Sequence, residues 1–193
     1  MFILFPRLRI RVSVFAVPIL IVMVWIEVVV PFSVMFLSVL AHEIGHISAL
    51  YFLGYRVRRI DILPMGAVIV VPEGISDINE CKIALSGPLV SLFCALICFC
   101  RFITNASALS LFALLVNCVF GIINLLPIHK LDGGKALYCY LSHKQKKSAE
   151  RICSAVSVGS KIVFITLCGL SVVLSGFNVG VILLSFALVL QII

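Results

Sequence analysis

The chain has 193 residues, of which 63% are hydrophobic and only 12% charged, where ordinary soluble domains carry roughly 25% charge. So little polar material cannot cover the surface of a small water-soluble globule, and the composition also argues against a disordered tail or a nucleic-acid-binding domain, which leaves a polytopic membrane protein. The net charge of +7 then reads first as a topology marker and not as an affinity for nucleic acid. The eight cysteines contain no CxxC pair and lie mostly in or beside apolar runs, as packing residues do, so neither a disulfide framework nor a zinc knuckle is expected.

Six helices of about 20 residues would use roughly 120 positions. The fold class expected is therefore all-α, with about six transmembrane helices, in a single domain over residues 1–193. Arg7, Arg9 and Arg11 precede an apolar run from Val12 to about Val28. That run is too long for a signal-peptide core and lacks a small-residue cleavage site, so it reads as a retained first helix. Glu27 and Pro31 mark a turn, and a second helix follows from Phe32 to Leu53, closed by Gly54. The segment Ile60 to Pro72, IDILPMGAVIVVP, is rich in β-branched residues with a break at Gly66, which predicts a short membrane-associated β-hairpin. A third helix fits Cys81 to Cys100, and a fourth runs from about Ala108 to Pro127. A short helix within Ile128–Ser142 and a basic stretch, His143 to Arg151, lead to a fifth helix from Ile152 to about Leu174. Gly176 and Asn178 form a turn before a last apolar run of about 16 residues, marginal for a span.

With a cytoplasmic N-terminus, thirteen of the 15 basic residues fall on the cytoplasmic side, Arg101 falls outside and Lys161 lies within the fifth helix. This positive-inside pattern predicts a multi-pass membrane protein with both ends in the cytoplasm. The cluster Lys144 to Lys147 reads as part of that pattern or as a contact with anionic lipid.

His42 and His46 stand four residues apart in AHEIGH, so on a helix both imidazoles project from one face and can meet one metal ion. Glu43 is adjacent. In this HExxH arrangement two histidines hold zinc and the glutamate serves as general base. Ionisable side chains at membrane depth are costly without a role. A catalytic zinc takes three protein ligands and keeps a fourth position for water. Asp61, Glu73, Asp77, Glu80 and Glu150 are expected in loops, Glu27 at the outer face and His143 in a basic surface cluster, which leaves Asp132 as the third ligand, with His129 a weaker alternative. The histidines lie about 7 and 11 residues before Leu53, roughly 10 to 16 Å deep, and Gly133–Ser142 is long enough, at roughly 15 Å of helix, to bring Asp132 to the same depth. That match requires a chain break within Leu125–Leu131, which Pro127 favours.

His42-Glu43-Ile44-Gly45-His46, Asn124-Leu125-Leu126-Pro127 and Leu131-Asp132-Gly133-Gly134 together resemble the site-2 proteases, intramembrane zinc metalloproteases. LPMGAV is similar to the hairpin, and Ser86-Gly87-Pro88 to the third-helix motif, of the sporulation-type branch, which processes a pro-sigma factor in spore-forming bacteria. Two positions depart from that pattern: Gly66-Ala67 replaces a usual Gly-Gly pair, and Ser91 stands where asparagine is frequent. The resemblance implies one zinc ion held by His42, His46 and Asp132, with Glu43 as general base and Asn124 as an oxyanion donor. Asn124 reads equally well as an amide capping a broken helix.

The function expected is cleavage of a membrane-associated or membrane-spanning protein near the cytoplasmic face, a pro-sigma factor or similar precursor being the first candidate. Water would reach the site through a cavity open to the cytoplasm. The hairpin would hold an extended substrate by backbone hydrogen bonds, or serve only as an interfacial anchor. The partners expected are the protein substrate, the lipid bilayer and inhibitory membrane proteins, with no nucleic acid. The alternative is a metal-ion transporter using the same ligands as a transit site, which would need polar steps along a path across the membrane.

Overall fold

The computed structural model describes residues 9–12, 29–55, 59–63, 66–70 and 74–192. The expected first helix, Val12 to Val28, lies outside these apart from Val12. The chain divides into two compact units, Met1–Ile123 and Asn124–Ile193, and its described part is mostly helical.

In the first unit, β1 (Arg9–Val12) pairs in parallel with β2 (Arg59–Leu63), which runs antiparallel to β3 (Gly66–Val70) with Ile60 opposite Ile69. Charged and β-branched residues alternate along RIRV and RIDIL, a period of two that suits a strand. Arg9 and Arg11 therefore lie in a strand, a role their charge alone did not suggest.

Helix α1 (Val29–Phe52) has 24 residues, about 36 Å at 1.5 Å per residue and enough to cross a bilayer core of roughly 30 Å. It starts earlier than expected. Pro31 does not form a turn but sits in the first turn of the helix, where no N–H is needed from it. Helix α2 (Asp77–Thr104) also begins before its apolar run: Ser76 accepts from the Asn79 backbone N–H at 3.4 Å, and Asp77 and Glu80 lie in the first turn against the positive end of the helix dipole. Helix α3 (Ala108–Asn124) is a shorter apolar helix of 17 residues.

The packing of α1 and α2 is inverted relative to a soluble protein. Ser38, His42 and Gly45 on α1, and Ala84, Gly87, Pro88, Ser91 and Ala95 on α2, are buried, while Leu37, Ile44, Phe52, Phe93, Leu96 and Ile97 are exposed. Small and polar residues inside, with large apolar residues outside, are what a lipid solvent selects, because close backbone approach and hydrogen bonds drive association there. One such bond joins α3 to α1: the buried Asn117 donates from Nδ2 to Ser38 Oγ at 3.0 Å and to the Ala113 carbonyl at 2.9 Å. Asn117→Ala is expected to lower the unfolding free energy in detergent by about 0.6–1.7 kcal/mol; an unchanged unfolding midpoint would remove this bond from the forces holding the unit together.

The second unit holds α4 (Asp132–Leu174) and α5 (Val179–Ile192). The expected short helix, basic linker and fifth helix are one continuous helix of 43 residues. His143 to Arg151 contains Lys, Gln, Ala, Glu and Arg with neither Gly nor Pro, so polarity changes there without any residue that would break the backbone ladder. The apolar part of α4 is Lys147–Leu174. Gly176 and Phe177, both at positive φ, turn the chain, and Asn178 Oδ1 accepts from the Gly180 N–H at 2.9 Å to cap α5. With 14 residues, about 21 Å, α5 is shorter than a bilayer core. Among the described residues three helices are long and apolar enough to cross a membrane: α1, α2 and the apolar part of α4.

Candidate metal centre

His42 and His46 occupy successive turns of α1, and their Nε2 atoms lie 3.2 Å apart. Two nitrogens bound to one tetrahedral zinc at about 2.0–2.1 Å would be separated by roughly 3.3 Å, so the pair already has the spacing of two ligands on one ion. The rings meet edge to face, with centroids 4.9 Å apart and planes at 80°. Glu43 follows His42 on the same helix and is half-buried.

What aims the rings comes from α2. His46 Nδ1 lies 2.7 Å from the Ile83 carbonyl. A carbonyl oxygen only accepts, so Nδ1 carries a ring proton and donates, and in the neutral ring this leaves the lone pair on Nε2, the atom turned toward His42. His42 Nδ1 lies 3.0 Å from Ser91 Oγ. A metal-binding histidine ordinarily has its other nitrogen engaged in this way, which fixes its tautomer and ring orientation. Ile83 and Ser91 were not expected to touch the site. A backbone carbonyl has no residue-type signature, and Ser91 drew notice only as a departure from a family pattern.

The two helices come close because glycines face each other's helix. A Cβ on Gly45 would lie 2.7 Å from the Ser86 carbonyl oxygen and 3.0 Å from Gly87 Cα. A Cβ on Gly87 would strike His46 Nε2 and stand 2.6 Å from His46 Cε1 and 2.9 Å from His42 Nε2. Gly87 thus keeps clear the space in front of both Nε2 atoms. Pro88, fully buried beside it, has no N–H to give the Ala84 carbonyl and loosens the helical ladder at this turn. Two imidazole nitrogens at ligand spacing, with room before them, fit zinc.

In the second unit the chain from Leu125 to His129 lies directly against the start of α4. A Cβ on Gly133 would collide with the Leu125 carbonyl and one on Gly134 with the Ile128 carbonyl, while the Leu131 N–H donates to Ile128 at 2.8 Å and the His129 N–H donates to Ser157 Oγ at 3.0 Å. The glycines of LDGG therefore let the broken segment itself pack on the helix. Asp132 opens α4, where a carboxylate meets the positive end of the dipole. It is 7% exposed, and its Oδ1 accepts from Lys135 Nζ at 3.3 Å. His129, the alternative ligand, is exposed. Asn124 is the half-buried last residue of α3, before the break.

Residues 14–156 match the family model described as Peptidase M50B-like. A zinc metalloprotease of Methanocaldococcus jannaschii is 32% identical over 118 residues, covering 58% of this chain and 34% of that protein. Stage IV sporulation protein FB of Bacillus subtilis is 33% identical over 111 residues, covering 55% of this chain and 38% of that protein. The matched stretches thus span only about a third of the length of these relatives. Among solved structures, the site-2 protease from Methanocaldococcus jannaschii superimposes with a TM-score of 0.62 over 96% of this chain and 89% of that one, at 23% identity. The match to the family model over most of the chain, together with this fold, makes the chain a member of the M50B-like peptidases, the site-2 protease family.

Proposed function

We propose that the chain is an intramembrane zinc endopeptidase that cleaves a membrane-associated or membrane-spanning protein near the cytoplasmic face. The observation that carries this reading is the paired Nε2 atoms of His42 and His46, 3.2 Å apart, with both Nδ1 atoms engaged by α2. His42, His46 and Asp132 would hold one zinc ion per chain, Asp132 being preferred to His129 because its side chain is buried whereas His129 is exposed. When bound, zinc brings a water molecule toward neutral pKa and polarises a peptide carbonyl. Glu43 accepts the proton of that water and returns it to the leaving amine nitrogen. Asn124 donates from its amide to the carbonyl oxygen as that atom gains charge.

The chain acts as one transmembrane protease domain of six spans in a bacterial cell membrane, with both termini cytoplasmic, as the distribution of its basic residues suggests. The segment Leu63–Val71 guides an extended substrate by strand addition. A pro-sigma factor or similar regulatory precursor is the first candidate substrate, a reading supported by the similarity to a sporulation protein and by the motifs shared with the sporulation-type branch, and inhibitory membrane proteins are candidate regulators. The test is co-expression of the chain with the host's membrane-associated pro-proteins, a pro-sigma factor among them. A shortened product that appears with the wild-type chain and vanishes on chelation of zinc supports the proposal. Zinc flux into proteoliposomes without cleavage of any of them would favour a transporter instead.

A further inference from the structure

We infer that Ser91 is a positioning residue of the metal centre: its hydroxyl holds the His42 ring so that Nε2 faces the ion, and this inference rests on the zinc reading above. Ser91 is fully buried, at 0% exposure, and its Oγ is 3.0 Å from His42 Nδ1. The geometry has an internal counterpart in the Ile83 carbonyl, which holds His46 Nδ1 at 2.7 Å. Both partners belong to α2, and the pairing runs in opposite directions along the two helices, Ile83 with His46 and Ser91 with His42. One helix therefore sets the orientation of both ligands on the other.

The two partners are chemically unequal. The Ile83 carbonyl is backbone and survives any side-chain change, whereas the Ser91 contact to His42 Nδ1 is made by a side-chain hydroxyl that a substitution removes. When Nε2 of a neutral imidazole faces a cation, the ring proton is on Nδ1, and Ser91 Oγ is placed to accept it. Removing that acceptor lets the ring turn about its χ2 torsion, which is broad for histidine. A turn displaces Nε2 from its 3.2 Å spacing to His46 Nε2. Ser91 does not touch the reacting atoms and acts only through His42.

The experiment measures zinc affinity of the full chain in detergent by competition with a chromophoric chelator, alongside the visible spectrum of the cobalt-substituted protein and the metal-free melting midpoint. Loss of an outer partner of a metal-bound histidine costs about 10–100-fold in affinity, so Ser91→Ala and the nearly isosteric Ser91→Cys are expected to weaken zinc by that factor and to shift the cobalt bands. Ser91→Thr, which keeps the hydroxyl, is expected to bind within about threefold of wild type on the same grounds. The metal-free midpoints of Ser91→Ala and Ser91→Cys should stay near that of wild type, which separates an effect on the ligand from one on packing. Wild-type affinity and an unshifted cobalt spectrum in Ser91→Ala would overturn the inference. So would equal loss in a folded Ser91→Thr. Should Ser91→Thr fail to fold around its added methyl, the Ala and Cys variants decide by the same two readouts. Failure of the wild-type chain itself to bind zinc would overturn the metal reading, an outcome seen without any variant.

Discussion

Glu43→Gln is expected to abolish cleavage while the protein keeps its zinc. The substitution preserves the size and hydrogen-bonding reach of the side chain and removes its ability to take up a proton. Positioned acid–base groups contribute about 10²–10⁴-fold, and here one carboxylate would serve twice, first on the attacking water and then on the leaving amine, so the loss should lie at the upper end of that range. The proposed ligand pair has contacts from another helix: His46 Nδ1 meets the Ile83 carbonyl and His42 Nδ1 meets Ser91 Oγ, both on α2, and the substitution leaves these in place. Metal content by atomic absorption, measured on the same preparations as cleavage of a co-reconstituted substrate, checks both halves. Cleavage at wild-type rate would end the general-base assignment. Loss of zinc along with activity would instead make Glu43 a ligand.

Gly87→Ala is expected to remove zinc binding from a protein that still folds. In a helix interior alanine is favoured over glycine by about 1 kcal/mol, so local propensity alone would make the variant more stable. The added methyl, however, would strike His46 Nε2 and stand 2.9 Å from His42 Nε2, in the space the two lone pairs share. Either it displaces the rings, which ends their ligand spacing, or it occupies the metal's position. Overpacking of a buried site costs about 1–3 kcal/mol, comparable to the propensity gain, so stability should change little while zinc affinity falls at least about a hundredfold, as for loss of a well-oriented ligand set. Stoichiometric zinc in purified Gly87→Ala would show that the space in front of the histidines is not where the ion sits.

These two variants also separate what could be read along the chain from what could not. The HExxH pair was legible because ligand spacing on a helix is local: residues four apart share a face whatever surrounds them. The class of protein was legible from the shortage of charge. Helix limits were less so, wherever apolarity was taken for the helix itself. Helix α2 begins four residues before its apolar run because Ser76 caps it. Helix α4 runs unbroken through the polar stretch His143–Arg151, because a helix needs intact backbone bonds and not a uniform solvent. Pro31, read as a turn, was absorbed into a first turn that has no use for its missing N–H.

By itself, then, the sequence determined that the chain lives in a membrane and that it carries an HExxH histidine pair on one helix, and it singled out Asp132 as the acid proposed to join them. Only the tertiary structure decided which nitrogen of each ring faces the other histidine and why there is room in front of the pair. Those answers come from side chains and carbonyls 37 and 49 residues away along the chain, Ile83 for His46 and Ser91 for His42, and from a glycine on the facing helix. Hydropathy and four-residue spacing are properties of a single segment. The direction of a lone pair is a property of the contact between two.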